Sequence, residues 1–544
     1  MSGRQPLALT TAAAVVGLAL VWQAAAASSA TYDETTYLNA AARWWRQGDR
    51  VGVTRMGSPN LFWKLQLAPT FAALDLMGRG ALIDDQPARQ PDLLPIARIG
   101  SSWIWLLGLA LTAWWARLLS GPWAMALAAW LYALSPNLLA HGGLVTMETP
   151  VTVAATAVFM SFWAFLWTGR RRWFWASAAL CGLAFACKFT AIVLPPILGA
   201  VWLFYEPLSM RRLARMGLAM AGYLIVMLAA DAALNGFAIL PLSPTSGDHP
   251  SASGFGPLGG IVARLYETPI PQDWVGFAGQ LRHQASGGPG YLLGERRMGG
   301  WRYYYLVALA VKVPPLFWLM AAWRGSMSGW RRSLTQAPDR MLLQSALLFF
   351  AIASAGSSRN YGVRYLLPVA PLAVMWLSGL VRGEERGRPS RLIGRAVIVV
   401  GLLGQAAAVI SVQPNPLTYF NVFAGGRAGG RRVLADSNLD WGQGLRALAR
   451  LQRGRPEFRD LTIYTFGTVD PSVYGVVGTA HVIDADEGHT PPPPPLESVA
   501  TPYVAVSASL QYGPWGPAGL FRPLDGLVPI AMTDDGTIAV YRVQ

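Results

Sequence analysis

Residues 99–116, IGSSWIWLLGLALTAWWA, form an uninterrupted run without a charged side chain. A helix of this length is about long enough to cross the ~30 Å hydrocarbon core of a bilayer. Comparable apolar runs recur along the chain of 544 residues, in which 53% of the residues are hydrophobic and 13% are charged. Soluble domains carry about 25% charged residues, so the composition predicts a protein built mainly of membrane-spanning helices.

The apolar runs predict an α-helical polytopic membrane protein with about eleven transmembrane helices. Pro136 interrupts the third run, and the fifth and sixth could form one kinked hairpin around Lys188. The predicted spans cover residues 7–27, 99–116, 123–140, 150–167, 173–187, 189–205, 216–230, 303–322, 341–355, 365–381 and 396–412.

Basic residues are distributed unevenly between the two sides of this predicted bundle. With residue 1 inside, seventeen arginines lie in short cytoplasmic segments, whereas the short external connections hold three basic residues. Those three are Lys188, Arg359 and Arg364. Because positive charge is enriched in cytoplasmic loops, we expect the loops 28–95 and 236–300 and the C-terminus to be extracytoplasmic. The protein is expected in the inner (cytoplasmic) membrane.

The formal net charge of +15 at pH 7 would also suit a nucleic-acid-binding protein. Most of the excess, however, comes from arginines next to predicted spans, where they would contact anionic membrane lipids. Membrane lipids are therefore expected partners, and nucleic acid is not.

Residues 1–27 allow two interpretations. Arg4, an apolar run and the small residues around Ala26 to Ala30 resemble a secretory signal with its cleavage site. The run is long for a signal core, and cleavage would remove the anchor from the acidic motif that follows. The predicted fold retains these residues as the first span.

The sequence changes character after residue 412. Strand-like runs occur at 461–466, 503–510 and 537–543, and a helix is predicted from about Leu445 to Leu451. We therefore expect residues 413–544 to form a small extracytoplasmic α/β domain. It would lie beside a transmembrane domain of residues 1–412.

Adjacent carboxylates, Asp33 and Glu34, follow the first predicted span in the sequence YDETTYLNAAARWWRQGD (32–49). One interpretation is a helix N-terminal cap, because aspartate favours that position and suits the helix dipole. The other is catalysis, because an ionised carboxylate can take the proton of an attacking hydroxyl. Asp33 is the predicted general base, and Glu34 is the second catalytic candidate.

Further motifs follow in order along the chain. They are WKLQLAP (63–69), SPNLLAHGGLVTMETP (135–150), GYLLGERRMGGWRYYYLVALAVKVPP (290–315), YGVRYLLPVAP (361–371), YFNVFAGGRAGGRRVLADSNLDWGQGL (419–445) and YVAVSAS (503–509). With the acidic pair and RQGD (46–49), they resemble bacterial members of the C-type glycosyltransferase superfamily. The branch that they resemble most is the protein O-mannosyltransferase and aminoarabinose lipid A transferase group.

The resemblance implies a C-type glycosyltransferase fold and a sugar donor linked to polyprenyl phosphate. It also implies an inverting single displacement outside the membrane, with Asp33 as the base. The acceptor could be a protein, a lipid or a glycan. The chain departs from the family pattern at Glu148, where many relatives have aspartate, and after Lys64, where paired prolines are absent.

A lipid-phosphate leaving group would need fixed cations, because negative charge grows on its oxygens as the glycosidic bond breaks. Three of the 44 basic residues are lysines, and none lies in a predicted cytoplasmic loop. Such cations could instead simply anchor helices at the membrane interface. Lys312, within span eight, could instead extend its ammonium to the interface by snorkelling. The candidate phosphate-binding residues are Lys64, Lys188, Lys312, Arg359 and Arg364. We expect Lys64, Lys188 and Arg364 to converge on one phosphate.

His141 and Glu148 flank a short predicted turn, but two residues at this spacing do not form a recognisable zinc or magnesium pattern. No obligatory metal and no other cofactor is predicted, and the possibility of a divalent metal stays open. The possible substrate-binding residues are His141, Glu148, Tyr365, Asp436 and Asp440. An ordinary capped helix start explains the last two equally well.

A polytopic transporter or a flippase of lipid-linked sugars is the alternative function. Many transporters contain two similar halves and polar groups in mid-membrane. Here the predicted spans carry few charges, and the two long external loops do not correspond. These features favour the enzyme.

Overall fold

The computed structural model describes residues 4–205, 207, 209–242, 264, 266–328, 334–335, 339–356, 358–385, 388–485, 493–517 and 519–543. Most of the predicted external loop 236–300 is therefore included, but its residues 243–263 lie outside the described ranges.

Apolar helices dominate the first 412 residues. Among the described residues, six helices are long and apolar enough to cross a membrane, and two bent helix pairs raise this number to at most eight. The bends measure 67° and 105°. The six spans are Arg4–Ala27, Gln90–Ser120, Glu148–Thr168, Met210–Leu234, Val363–Arg382 and Arg391–Ile410.

Every predicted span overlaps helical residues. Eight of them coincide with the six long helices and the two bent pairs. The other three lie on Arg171–Cys187, Phe189–Leu203 and Asp339–Gly356, which do not reach the length and hydropathy of a spanning helix. The helical fold with several apolar helices is confirmed, and the number eleven stays a prediction.

The elements are numbered here in chain order. The α-helices are α1 (Arg4–Ala27), α2 (Tyr32–Gln47), α3 (Leu61–Leu76), α4 (Ala81–Asp84), α5 (Gln90–Ser120), α6 (Pro122–Ala133), α7 (Pro136–Gly142), α8 (Glu148–Thr168), α9 (Arg171–Cys187), α10 (Leu194–Leu203), α11 (Met210–Leu234), α12 (Gln272–Ala285), α13 (Tyr304–Lys312), α14 (Pro315–Ser328), α15 (Asp339–Gly356), α16 (Ala370–Ser378), α17 (Arg388–Ile410), α18 (Gly426–Gly430), α19 (Leu445–Gly454) and α20 (Ala508–Gln511). The strands are β1 (Ile239–Pro241), β2 (Pro269–Pro271), β3 (Pro289–Leu292), β4 (Glu295–Met298), β5 (Leu461–Phe466), β6 (Thr479–Ile483), β7 (Tyr503–Ser507), β8 (Ala531–Met532) and β9 (Ile538–Arg542).

Close packing of α9 against α8 and α11 shows how the apolar helices associate. A Cβ atom on Gly182 would lie 2.4 Å from the carbonyl oxygen of Met227, so glycine is needed for this approach. The hydroxyl of Ser177 donates to the carbonyl of Val158, at 3.1 Å, and lies 2.9 Å from the hydroxyl of Tyr223. One small residue and one hydroxyl thus connect three helices.

The chain after residue 460 contains a five-stranded sheet with the order β6-β5-β7-β9-β8. Strand β5 pairs in parallel with β6 and β7, whereas β9 pairs antiparallel with β7 and β8. The predicted strands are found as β5, β7 and β9, although β7 is shorter than expected because α20 begins at Ala508. The predicted helix is α19.

Hydrogen bonds attach the C-terminal region to the connection between α1 and α2. The N–H of Ser29 donates to the carbonyl of Gln443 at 3.1 Å, and the N–H of Tyr32 donates to that of Trp441 at 2.7 Å. The N–H of Ala30 donates to the hydroxyl of Tyr474 at 3.0 Å. The start of α2 is therefore held against the C-terminal region, and the division into domains 1–412 and 413–544 stays a prediction.

Candidate active site

The start of α2 is fixed by Glu34. Thr31 occupies the N-cap position, and its N–H and hydroxyl both donate to Glu34 Oε2 at 3.0 Å. This is the glutamate half of a capping box, in which the third helical residue reaches back to the cap. Asp33 is therefore not the cap, contrary to one interpretation of the sequence, and its side chain is free for other contacts.

Arg98 completes the shell around Glu34. Its Nε and Nη2 donate to the two carboxylate oxygens at 2.9 and 2.6 Å, and both side chains are fully buried. The N–H of Val145 adds a bond of 2.8 Å. Burial alone would raise the pKa of Glu34, but Arg98 and the backbone N–H groups of Thr31 and Val145 outweigh it, and the pKa is lowered. These contacts give Glu34 a structural role.

Asp33 points instead into a group of four charged side chains, here called the charge cluster: Asp33, Glu148, Lys188 and Arg364. Arg364 Nη1 lies 3.3 Å from Asp33 Oδ2 and 3.6 Å from Glu148 Oε1. Lys188 Nζ donates to the same Glu148 oxygen at 3.0 Å. Side chains more than 300 positions apart in sequence are thereby brought together.

Element ends place the members of the charge cluster. Glu148 is the first residue of α8, and Lys188 directly follows α9 in an extended conformation. Arg364 lies in a 3₁₀-helix, Val363–Val369, that precedes α16. The charge cluster therefore lies where α8 begins and α9 ends.

Aromatic rings fix the two cations. The guanidinium of Arg364 lies 4.1 Å from the centre of the Trp441 ring, and the ammonium of Lys188 lies 4.5 Å from that of Tyr365. Partly desolvated cation–π contacts of this kind are worth about 1–2 kcal/mol. The rings thus orient the cations without neutralising them.

The formal charges of the cluster sum to zero, but its carboxylates differ. Glu148 is 1% exposed, whereas the side chain of Asp33 is 26% exposed. Burial raises the pKa of the Asp33 carboxyl, and the neighbouring Arg364 opposes this effect. Asp33 is therefore the more accessible of the two carboxylates. Its raised pKa also makes it a stronger base than an ordinary aspartate.

A cavity of about 300 Å³ opens beside the charge cluster. Asp33, Glu148, Lys188 and Arg364 all line it, together with Tyr365, Arg359 and Asp436. A cavity of this size with a few converging polar groups is the common form of a small-molecule site. It is also the place where most of the predicted site residues meet.

Asp436 lies at the wall of this cavity in a left-handed backbone conformation, with φ at 56°. Such a conformation costs a non-glycine residue about 1 kcal/mol or more. Burial raises the pKa of Asp436 to about 7, against the effect of the neighbouring Arg364. One of its carboxylate oxygens, Oδ2, is buried and has no hydrogen-bond partner among the described residues.

Asp440 and His141 lie next to the cavity without lining it. The Asp440 carboxylate accepts bonds from the N–H groups of Ser509, at 2.8 Å, and Gly442, at 3.1 Å. It therefore joins two segments of the C-terminal region. The ring of His141 packs near that of Trp441 at 6.3 Å. Within the described ranges, no three His, Cys, Asp or Glu side chains are grouped to hold a metal ion.

The other predicted cations, Arg359, Lys312 and Lys64, lie in three different places. Arg359 lines the cavity and binds the carbonyl of His283 at 2.8 Å. Lys312 is buried and donates to the carbonyls of Leu417, at 2.9 Å, and Asn438, at 2.6 Å. It thus attaches α13 to the segment after α17.

Lys64 is separated from the charge cluster. Its ammonium lies 5.5 Å from the Trp44 ring centre and 5.4 Å from that of Trp63, and it does not line the cavity. Burial lowers the pKa of Lys64, and the charge of Asp273 opposes this effect. The structure brings Lys188 and Arg364 together but leaves Lys64 apart.

Sequence reasoning missed Arg98 and the aromatic lining of the cavity. The threonine three residues before Glu34 in TYDE is a capping-box signal that could have assigned this glutamate to the helix start. The aromatic rings Tyr32, Phe466 and Trp515 come from distant segments, and no local pattern brings them together.

Comparison with known proteins supports the resemblance seen in the motifs. A sequence model of the family described as dolichyl-phosphate-mannose-protein mannosyltransferase matches residues 96–233. The undecaprenyl phosphate-alpha-4-amino-4-deoxy-L-arabinose arabinosyl transferase of Edwardsiella ictaluri (strain 93-146) is 25% identical over 355 residues. This match covers 60% of the chain and spans 53%, about half, of the relative.

Two solved structures are similar along nearly the whole chain. ArnT from Cupriavidus metallidurans in the apo state has 16% identity and a TM-score of 0.48, with 98% of this chain and 97% of that chain covered. The oligosaccharyltransferase of Archaeoglobus fulgidus, in complex with zinc and sulfate, has 11% identity, a TM-score of 0.44 and coverages of 98% and 73%. The family model and the arabinosyl transferase support the predicted resemblance to the protein O-mannosyltransferase and aminoarabinose lipid A transferase group.

Proposed function

We propose that this relative of the C-type glycosyltransferases transfers a sugar from a polyprenyl-phosphate carrier to an acceptor hydroxyl, with Asp33 as general base. The observation that carries the proposal is the position of Asp33. It is an accessible carboxylate at a cavity that Arg364 and Lys188 also line. A base and phosphate-binding cations are the two functions that such a transfer needs.

The reaction is a single displacement. The acceptor oxygen attacks the anomeric carbon while its proton passes to Asp33 Oδ. The bond from that carbon to the phosphate oxygen breaks, and its electron pair stays on the phosphate. Attack opposite the leaving group inverts the anomeric configuration, and Asp33 afterwards releases the proton to water.

Arg364 and Lys188 are proposed to bind the leaving phosphate. Both lie within 3.6 Å of one oxygen of Glu148, so the two cations are close enough to contact one phosphate. Because the cluster is formally neutral, a third cation favours an anionic donor, and Arg359 on the cavity wall supplies it. The name of the curated relative includes undecaprenyl phosphate, which supports a polyprenyl-phosphate donor here.

The reaction is proposed to occur on the extracytoplasmic side. Glu148 begins α8, whose far end is followed by Arg170, and Lys188 follows α9, which begins at Arg171. The cavity and the arginine-rich ends therefore lie at opposite ends of both helices. The positive-inside rule places the arginines in the cytoplasm and the cavity outside.

The test uses the purified full-length protein in detergent micelles. A short-chain polyprenyl-phosphate sugar with a radiolabelled sugar is incubated with envelope glycolipids and with periplasmic protein, and the label is followed into each fraction. Transfer with release of the lipid phosphate is expected. The same protein reconstituted into lipid vesicles tests the alternative: movement of the intact donor across the vesicle membrane, without cleavage, would contradict the proposal and indicate a flippase.

A further inference from the structure

One wall of the cavity is aromatic, and two of its four rings come from the C-terminal region. The rings of Tyr32 and Phe466 are stacked, with centres 5.2 Å apart and planes at 8°, and those of Phe466 and Trp515 are stacked at 5.6 Å and 9°. Tyr361 packs against Trp515 at 5.4 Å and 45°. All four rings line the cavity, and they are here called the aromatic wall.

The stacked rings of Tyr32, Phe466 and Trp515 are displaced sideways from one another. Two rings in contact are about 3.5–4.0 Å apart, so centres that are 5.2 and 5.6 Å apart must be displaced sideways. Offset stacking leaves part of each ring face uncovered. Tyr32 and Trp515 are also partly exposed, unlike rings in a closed core. The aromatic wall therefore presents flat apolar ring faces to a molecule in the cavity.

The Asp436 carboxylate is a hydrogen-bond acceptor at the edge of the aromatic wall. The indole N–H of Trp515 donates to Asp436 Oδ1 at 3.4 Å. The other oxygen of Asp436 is buried without a partner among the described residues. A buried carboxylate oxygen in this state costs free energy until a donor reaches it. The wall thus combines flat apolar faces with an unused acceptor.

We propose that the aromatic wall and Asp436 form a subsite that binds a sugar ring. The C–H groups on one face of a sugar carry partial positive charge and pack on the negative face of an aromatic ring. Its hydroxyl groups supply the donor that Asp436 lacks. A polyprenyl chain would match the rings but would leave the carboxylate oxygen without a donor.

The subsite lies next to the proposed base. Tyr32 directly precedes Asp33, and Asp436 is close enough to Arg364 and Asp33 for their charges to act on it. As a step within the proposed transferase function, the bound ring belongs either to the transferred sugar or to a saccharide acceptor. Both present the same chemistry to the wall.

Saturation-transfer NMR on the full-length protein tests this directly and does not depend on transfer activity. The probes are the methyl glycosides of mannose, glucose, galactose and arabinose. At least one is expected to receive saturation through its ring C–H groups. Trp515→Leu should weaken its binding about 3- to 10-fold, whereas Trp515→Phe, which keeps a flat face, should retain most of it.

Trp167→Leu is the matched control, because this tryptophan is 63% exposed near the far end of α8. It should bind the probe like the wild type. Binding by none of the probes, or equal binding by wild type and Trp515→Leu, would overturn the subsite. Trp515-dependent binding without any transfer would keep the subsite and reject the transferase function.

Transfer kinetics separate the two sources of the ring. If the wall holds the transferred sugar, Trp515→Leu raises KM for the lipid-phosphate donor. If it holds the acceptor, the variant raises KM for the saccharide acceptor. Unchanged values for both substrates would count against the subsite.

Discussion

Asp33 and Glu34 are adjacent in sequence, yet each lies in an ion pair of a different kind. The pair of Glu34 and Arg98 is fully buried, and both carboxylate oxygens accept several hydrogen bonds. In the pair of Asp33 and Arg364 the contact is longer, at 3.3 Å, and the carboxylate faces a cavity. A saturated buried pair holds a structure together, whereas an unsaturated one can exchange partners with a substrate.

The fully buried pair of Glu34 and Arg98 should have the larger effect on stability. Glu34→Gln leaves the Arg98 guanidinium buried without its counter-charge, which is expected to cost about 3–5 kcal/mol in the free energy of unfolding. Titration with a denaturing detergent, followed by circular dichroism, measures this loss. Asp84→Asn in the exposed pair with Arg46 is the control and should cost less than about 1 kcal/mol. A stable Glu34→Gln variant would contradict the structural role.

Substitutions in the charge cluster are expected to lower catalytic efficiency. Lys188→Gln and Arg364→Gln should each lower kcat/KM about 10- to 150-fold, because an ionic bond to phosphate is worth roughly 1.5–3 kcal/mol. Since both cations contact one oxygen of Glu148, the double variant should lose less than the product of the two single losses.

Lys64→Gln provides the comparison within this series. Lys64 lies beside Trp44 and Trp63 and not in the charge cluster, so its effect should multiply with that of Lys188→Gln. Independent losses for Lys188 and Arg364 would show that these two cations do not grip the same phosphate.

Asp436 should make the stability of the protein depend on pH. Its pKa is raised from 3.8 to about 7 by burial, so the folded protein holds this proton more tightly than the unfolded chain. Stability from this group is therefore present below pH 4 and is lost as the pH rises towards 7. The melting temperature of Asp436→Asn, relative to wild type, should increase over this range.

Asp525→Asn serves as the control for the pH series, because Asp525 is exposed in the same region. Its melting temperature should follow that of the wild type at every pH. A constant difference between wild type and Asp436→Asn from pH 4 to 7 would show that Asp436 does not carry this dependence. Asparagine tolerates the left-handed backbone at this position, so the substitution tests charge and not strain.

The sequence predicted what local pattern controls. Apolar runs gave the helices, strand-like runs gave β5, β7 and β9, and the scarcity of lysine singled out Lys188. It could not separate Asp33 from Glu34, because their difference arises from Arg98, which lies in α5 and is one of many arginines. A partner brought in by tertiary packing leaves no periodic signal.

The same limit explains why the three lysines lie in different places in the structure. Lys64 and Lys188 were expected on the external side of the membrane and Lys312 within the eighth span, and Lys188 lies in the charge cluster. Lys312 instead binds backbone carbonyls after α17, and Lys64 lies between tryptophan rings. Sharing a side of the membrane does not bring side chains within contact distance.

The central claim is that Asp33 removes the proton of the acceptor. The most direct measurement is the single-turnover rate of sugar transfer by purified Asp33→Asn from a short-chain lipid-phosphate sugar, with the melting temperature recorded in parallel. The amide keeps the shape of the side chain and cannot take the proton, so the rate should fall about 10²- to 10⁴-fold while the melting temperature stays that of the wild type. A near-normal rate would contradict the account.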